Sequence, residues 1–116
     1  MHQYITSINT ITKQGAPFNL KVKKRWPGAT FVVFDAHHVL LDVFASPEKY
    51  LDTQANVTGV YNKCEVLMED CTPSDKPMSS FAFYDELHIS ERVPEVAAEK
   101  FVEAINGKSK YATYWC

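Results

Sequence analysis

The chain has 116 residues, of which 46% are hydrophobic and 13% aromatic, and its formal net charge is −2. This size and apolar content predict a single globular domain over residues 1–116, and they exclude a wholly disordered chain. No apolar run approaches the ~20 residues of a membrane-spanning helix, and no secretory signal is visible, so we expect a cytoplasmic protein without membrane contact.

The cysteines support the same location. The number of cysteines is odd, and none of their spacings is C-x-x-C. They are Cys64, Cys71 and Cys116. We therefore predict free thiols in a reducing compartment. Separately, no cofactor is predicted, because no cofactor-binding motif is visible in the sequence.

The first third of the chain has a composition typical of strands. Residues 3–12 are rich in Thr and Ile, which predicts a strand. After a turn at 15–17, residues 18–23 alternate between apolar and polar, which predicts a second strand with one cationic face. The apolar run at 30–34 predicts a central strand.

The next segment favours a hairpin. Residues 35–38 are interpreted as a turn and 39–44 as a returning strand, because Val, Phe and His are mediocre helix formers. A helix from Ala36 is the less favoured alternative, since no cap is apparent. Ser46, followed by Pro and Glu, predicts a short helix at about 47–54.

Four further segments follow before the C-terminal helix. Residues 57–60 and 64–68 predict strands, with a possible turn at 62–63. Prolines and serines at 72–79 predict a loop. Residues 80–84 predict another strand, which 87–89 could extend.

The clearest element is an amphipathic helix at about 93–106. Its apolar residues recur at spacings of three and four, and Gly107 is placed for a left-handed C-terminal cap. Residues 111–115 predict a last strand. The fold class is α+β, a mostly antiparallel sheet of about five to seven strands with this helix packed on it. The predicted buried face consists of Val93, Val96, Ala97, Phe101, Ala104 and Ile105.

The opposite face of that helix carries acidic residues at every fourth position. Like charges at this spacing cost about 0.2–0.5 kcal/mol per pair, so the row is a candidate surface for a basic partner. A solvated helix face is the alternative. The aromatic C-terminus is either core or part of the same interface. The predicted partner-binding residues are Glu91, Glu95, Glu99, Glu103, Tyr114 and Trp115.

The one basic cluster is a candidate for nucleic-acid binding, because cations beside an aromatic ring suit a phosphate backbone and a stacked base. The chain as a whole is acidic, so a nucleic-acid partner is not expected, and a solvated strand edge is the alternative. The cluster consists of Lys21, Lys23, Lys24, Arg25 and Trp26.

Asp35, His37, His38 and Asp42 are candidates for metal binding or acid–base chemistry, with His88, Glu86 or Asp85 as additional donors from another segment. The alternative is a polar turn that binds nothing. Nothing in the spacing demands a metal, so we predict none.

The chain lacks G-x-G-x-x-G, P-loop and H-E-x-x-H motifs. We therefore predict a small non-catalytic protein, monomeric or homodimeric, that binds and inhibits a larger protein with a basic surface, as phage or mobile-element accessory proteins do. The alternatives are a metal- or ligand-dependent enzyme built around Asp35, His37 and His38, and a nucleic-acid-binding module at 21–26.

Overall fold

The structure, a computed structural model, describes residues 2–66 and 69–116. Within these residues, three α-helices and six short strands form an α+β arrangement, which confirms the predicted fold class at this level. The helices are α1 (His2–Pro17), α2 (Ala36–Ala45) and α3 (Arg92–Ile105). The strands are β1 (Phe31–Phe34), β2 (Asn56–Val60), β3 (Asn62–Val66), β4 (Glu69–Pro73), β5 (Phe81–Phe83) and β6 (Ala112–Trp115).

The N-terminal segment is helical, so the predicted strand at 3–12 is wrong. The hydroxyls of Ser7, Thr10 and Thr12 donate to the backbone carbonyl four residues earlier at 2.8–3.0 Å. The hydroxyls therefore have hydrogen-bond partners within the helix. The Thr-rich composition, which predicted a strand, is thus compatible with a helix here.

The predicted cationic strand at 18–23 is also wrong. Pro17 has helical backbone angles, and the chain continues as a π-helical turn at Phe18–Val22. The side-chain amide of Asn19 donates to the carbonyl of Gly15 at 2.8 Å, which ties this turn to the end of α1.

Residues 36–45 form α2, so the predicted hairpin is wrong and the less favoured helix is right. Asp35 is the cap that the sequence analysis missed, because its Oδ1 accepts the backbone N–H of His38 at 3.2 Å. Val39 and Val43, one helical turn apart, are both fully buried.

The short helix predicted at about 47–54 is reduced to one 3₁₀ turn at Pro47–Lys49. The side chain of Ser46 makes no capping hydrogen bond there. Proline at the first position favours the start of a helical turn. Because no side chain caps the N-terminal N–H groups, the turn does not continue as a longer helix.

The strands do not form the single, mostly antiparallel sheet that was predicted. In the part of the chain that the structure describes they form three two-stranded sheets. β1 pairs with β6 and β3 with β4 in antiparallel fashion, whereas β2 pairs with β5 in parallel. The predicted strands at 30–34, 57–60, 80–84 and 111–115 are confirmed in outline.

Three finer boundaries differ. Asn62 and Lys63 lie within β3 instead of in a turn, and residues 67–68 of the predicted strand 64–68 lie outside the described residues. β4 includes the start of the predicted loop at 72–79. Beyond β5, Ile89 forms only an isolated bridge with Phe83.

The predicted C-terminal helix is confirmed as α3, with Val93, Val96 and Ala104 buried against the core. Phe101 and Ile105 of the predicted buried face are 48% and 63% exposed. Gly107 has φ +72°, which confirms the left-handed cap. The hydrophobic core lies between α2, α3 and residues in or next to β5 and β6. It consists of Val39, Val43, Leu51, Ala82, Val93, Val96 and Tyr111.

Cys64 and Cys71 form a disulfide across β3 and β4, so the prediction of free thiols is wrong for both. Their positions face each other in the antiparallel register, which sequence spacing alone did not reveal. Cys116 is free and exposed. None of the helices in residues 2–66 and 69–116 is long and apolar enough to cross a membrane.

Candidate active site

A buried aspartate and an exposed histidine meet just after β5. Nδ1 of His88 lies 3.0 Å from both carboxylate oxygens of Asp85. The Asp85 side chain is 8% exposed and that of His88 is 58% exposed. The carboxylate is therefore enclosed, while the imidazole is open to a reactant.

The local sequence Asp-x-x-His produces this geometry within one turn. Oδ1 of Asp85 accepts the backbone N–H of Leu87 at 2.8 Å and that of His88 at 2.7 Å. The backbone N–H of Tyr84 donates to the carbonyl of His88 at 2.8 Å and closes the turn. The short aspartate side chain therefore orders the turn and contacts the imidazole at the same time.

The turn is anchored to β5 through Ser90. Its backbone N–H donates to Ala82 at 3.0 Å, and its hydroxyl donates to the carbonyl of Phe81. Ser90 is buried, and α3 begins two residues later. The pair is thus held between a strand end and a helix start, both of which pack on the core.

The hydrogen bonds from His88 and from the Leu87 backbone lower the pKa of Asp85, against the opposing effect of desolvation. The carboxylate stays ionised at neutral pH and can only accept hydrogen bonds. Nδ1 of a neutral His88 must then carry the proton, which leaves Nε2 with a free electron pair.

A second Asp-x-x-His turn lies at the start of α2. Nδ1 of His38 is 2.7 Å from Oδ2 of Asp35, but here the aspartate side chain is 33% exposed and caps a helix. Ligand atoms of Asp35, His37 and His38 all lie within 4.8 Å of one another. The structure thus brings these three candidates together, and His88 is not part of their group. Metal binding there stays untested.

The basic cluster is divided among separate contacts. Lys21 donates to the backbone carbonyl of Cys116, and the Lys23 ammonium lies 5.6 Å from the centre of the Phe18 ring. Trp26 packs against Phe31 with ring centres 5.4 Å apart. Lys24 has φ 48°, which turns the chain away from an extended path. The expected continuous cationic strand face does not form.

The acidic face of α3 is partly neutralised by the chain itself. Arg92 lies 3.2 Å from Glu95 and 3.6 Å from Glu99, and Lys100 lies 2.6 Å from Glu103. The row is therefore less negative than its sequence suggested.

Both C-terminal aromatic residues of the predicted partner surface are half-buried. The Tyr114 hydroxyl donates to the carbonyl of Ala104 at 2.9 Å, and Trp115 lies opposite Phe31 in the β1–β6 register. Both therefore contact the chain's own elements. Two predictions remain: that a basic partner binds this surface, and that the protein is a monomer or a homodimer.

Asp85 and His88 were expected only as additional metal donors, and their pairing was not predicted. The available signal was an Asp-x-x-His spacing between an apolar strand and an amphipathic helix. The same spacing occurs at Asp35 and His38, so the spacing alone does not identify the site; burial of the aspartate distinguishes the two.

No protein-family model matches the chain. The chain is 40% identical over 115 residues to an acetylesterase of Hypocrea jecorina, which covers 99% of this chain and 33% of that protein. It is 32% identical over 106 residues to the GDSL esterase/lipase EXL5 of Arabidopsis thaliana, covering 84% of this chain and 27% of that protein. The chain spans about a third of the length of the curated relatives it matches.

These similarities contradict the predicted non-catalytic inhibitor and accessory protein. The two relatives are named as an acetylesterase and a GDSL esterase/lipase, and both names are those of enzymes. The absence of nucleotide and metalloprotease motifs excluded only those chemistries. A histidine paired with a carboxylate needs no such motif.

Proposed function

We propose that the chain forms part of an ester hydrolase and supplies the Asp85–His88 pair of its active site. The observation that carries this proposal is the contact between Nδ1 of His88 and the buried Asp85 carboxylate, at 3.0 Å to each oxygen. That contact holds the imidazole in one orientation with Nε2 free, which a general base in acyl transfer requires.

In the proposed reaction, a nucleophilic hydroxyl attacks the ester carbonyl carbon and gives its proton to Nε2 of His88. The carbon–oxygen bond to the alcohol breaks, and the alcohol leaves with that proton. Water then attacks the acyl-enzyme, again through His88, and releases the acid. Asp85 stabilises the imidazolium that forms in both steps.

The nucleophile is proposed to come from polypeptide outside this chain. The buried serines on either side of β5 and the Asp85–His88 turn, Ser80 and Ser90, donate their hydroxyls to the carbonyls of Thr53 and Phe81. Parallel strand pairs such as β2–β5 usually lie inside larger sheets, and ligands bind at the carboxyl ends of such strands. Asp85 follows the carboxyl end of β5, so an added strand could bring the nucleophile there.

The name of the Hypocrea relative suggests the substrate class. We propose an ester of acetic acid, whose small acyl group needs only a small pocket beside the nucleophile. p-Nitrophenyl acetate is a suitable probe for this chemistry.

The test compares the two histidines that share the Asp-x-x-His spacing, in the natural full-length protein. His88→Ala should lower kcat for p-nitrophenyl acetate on the order of 10⁴-fold or more, because the general base is lost. His38→Ala removes the other Asp-x-x-His imidazole and should leave kcat within about twofold. Full activity of the His88→Ala protein would exclude the proposed role.

The disulfide suggests a location different from the cytoplasmic one expected at first. Disulfides persist mainly in oxidising compartments, so we propose that the protein acts outside the reducing cytosol. Non-reducing peptide mapping of protein from its native source should find Cys64 and Cys71 joined. Alkylation of both thiols without prior reduction would contradict this.

A further inference from the structure

The disulfide-closed hairpin of β3 and β4 begins where the proposed esterase site begins. Tyr61, between β2 and β3, donates its backbone N–H to Phe83 at 3.0 Å, and Asn62 donates to Tyr84 at 2.7 Å. The hydrogen bonds between these two segments therefore continue past β5, up to the residue before Asp85. The hairpin leaves the parallel pair on the side where the Asp85–His88 turn lies.

The two strands of the hairpin are joined at its base and again by the disulfide. On the return strand, the backbone N–H of Ser74 donates to Tyr61 at 2.7 Å. Between these points, Cys64 and Cys71 face each other and form the disulfide. An isolated two-stranded hairpin is marginally stable in water, and most of the described residues of β3 and β4 are exposed. The covalent link therefore restricts opening of the strand pair.

One side chain connects the hairpin to the catalytic turn. Oε1 of Glu86 accepts the backbone N–H of Cys64 at 3.3 Å. Glu86 lies between Asp85 and Leu87 in the chain. The backbone N–H of Leu87 donates to the Asp85 carboxylate at 2.8 Å. The contact thus joins a disulfide-bonded residue to the middle of the turn that orients His88.

We propose that Glu86 is a positioning residue of the esterase site and that the Cys64–Cys71 disulfide is what lets it act. The inference rests on the proposed function. The disulfide fixes β3, the Cys64 N–H fixes the Glu86 carboxylate, and Glu86 restricts the turn that carries Asp85 and His88. Small displacements of catalytic groups have large effects on rate, so this restriction contributes to kcat while substrate binding is little changed.

The test uses the natural full-length protein and p-nitrophenyl acetate. Glu86→Ala should lower kcat on the order of tenfold, with KM within about twofold. Glu86→Gln keeps the accepting oxygen and should restore most of kcat. Glu65→Ala is the matched control, because it removes a neighbouring exposed carboxylate that accepts no such bond from the described residues and should leave kcat unchanged.

The disulfide is tested by Cys64→Ser combined with Cys71→Ser. We expect a fall in kcat similar to that of Glu86→Ala. The triple variant with Glu86→Ala should be no slower than either, because both changes break one connection. If the double serine variant does not fold, the Glu86→Ala and Glu86→Gln pair decides the question alone.

The outcomes separate this inference from the function on which it rests. Wild-type kcat in Glu86→Ala, failure of Glu86→Gln to restore kcat, or a triple variant whose losses multiply would each overturn the positioning role. An inactive His88→Ala protein in the same experiment would leave the esterase proposal intact. An active His88→Ala protein would overturn both.

Discussion

Nδ1 of His88 lies 3.0 Å from both carboxylate oxygens of Asp85, and the same Asp-x-x-His spacing recurs at Asp35 and His38, where Nδ1 is 2.7 Å from one oxygen. Each aspartate accepts the backbone N–H of its histidine, but only Asp85 also accepts the N–H of the residue before the histidine. Asp85 is buried after a parallel strand, whereas Asp35 is partly exposed and caps α2. The chain therefore contains its own internal comparison for the proposed active site.

Replacing each aspartate by asparagine tests whether Asp85, and not Asp35, belongs to the active site. Asp85→Asn in the full-length protein should lower kcat on the order of 10⁴-fold, because an amide can donate to Nδ1 and favours the wrong imidazole tautomer. Asp35→Asn should leave kcat within about twofold, since asparagine also caps helices well. Ester hydrolysis assays measure both. Equal activity losses in the two variants would contradict the assignment.

The second prediction concerns acid stability. The hydrogen bond from Lys110, followed by that from the Tyr111 hydroxyl, lowers the pKa of Asp42 in the folded state. Stability from a carboxyl group with a lowered pKa is present above the unfolded-state pKa and is lost as pH falls through the folded-state pKa. We expect the free energy of unfolding to decrease between about pH 5 and pH 2.

Asp42→Asn should make that decrease shallower, because one proton fewer is taken up on unfolding in acid. Denaturant titrations at a series of pH values measure this. Parallel curves for the wild type and the variant would show that Asp42 is not a source of the acid sensitivity.

The third prediction concerns the contact between α2 and α3. Val43 is buried, so Val43→Ala removes two methyl groups and leaves a cavity, which should cost about 2 kcal/mol of unfolding free energy. Val102 lies on α3 but is exposed, and Val102→Ala should change stability by less than about 0.5 kcal/mol. Chemical denaturation compares them. A larger loss at Val102 would mean that this face of α3 is covered in the full-length protein.

The fourth prediction contrasts two glycines. Gly107 has φ +72°, so Gly107→Ala should destabilise the protein by about 1 kcal/mol. Gly15 lies within α1 with open space around its Cα, so Gly15→Ala should stabilise by about 0.5–1 kcal/mol. Thermal unfolding gives both signs. Destabilisation at Gly15 would argue against a helix there.

Short-range features of the sequence were enough to predict α3 and several strands. Val93, Val96 and Ala97 recur at spacings of three and four residues, and Gly107 lies just beyond the last turn. These signals act over a few residues, so they predict a helix and its end without reference to distant segments. The apolar run of β1 likewise forms a strand as expected. At α1 the local evidence was misleading, because threonine hydroxyls that suggested a strand instead bond to carbonyls one helical turn away.

Only the tertiary structure decided which elements meet. Asn56 and Phe81 pair in parallel because the chain returns over many residues, and no local pattern encodes the direction or register of that return. Cys64 faces Cys71 only seven residues away, but their contact depends on the register of the β3–β4 pair, which their spacing alone does not give. The same holds for the site. The sequence by itself contains two Asp-x-x-His turns, and it determined that each aspartate can reach its histidine. Burial beside a strand end, which depends on packing between distant segments, distinguishes Asp85 from Asp35.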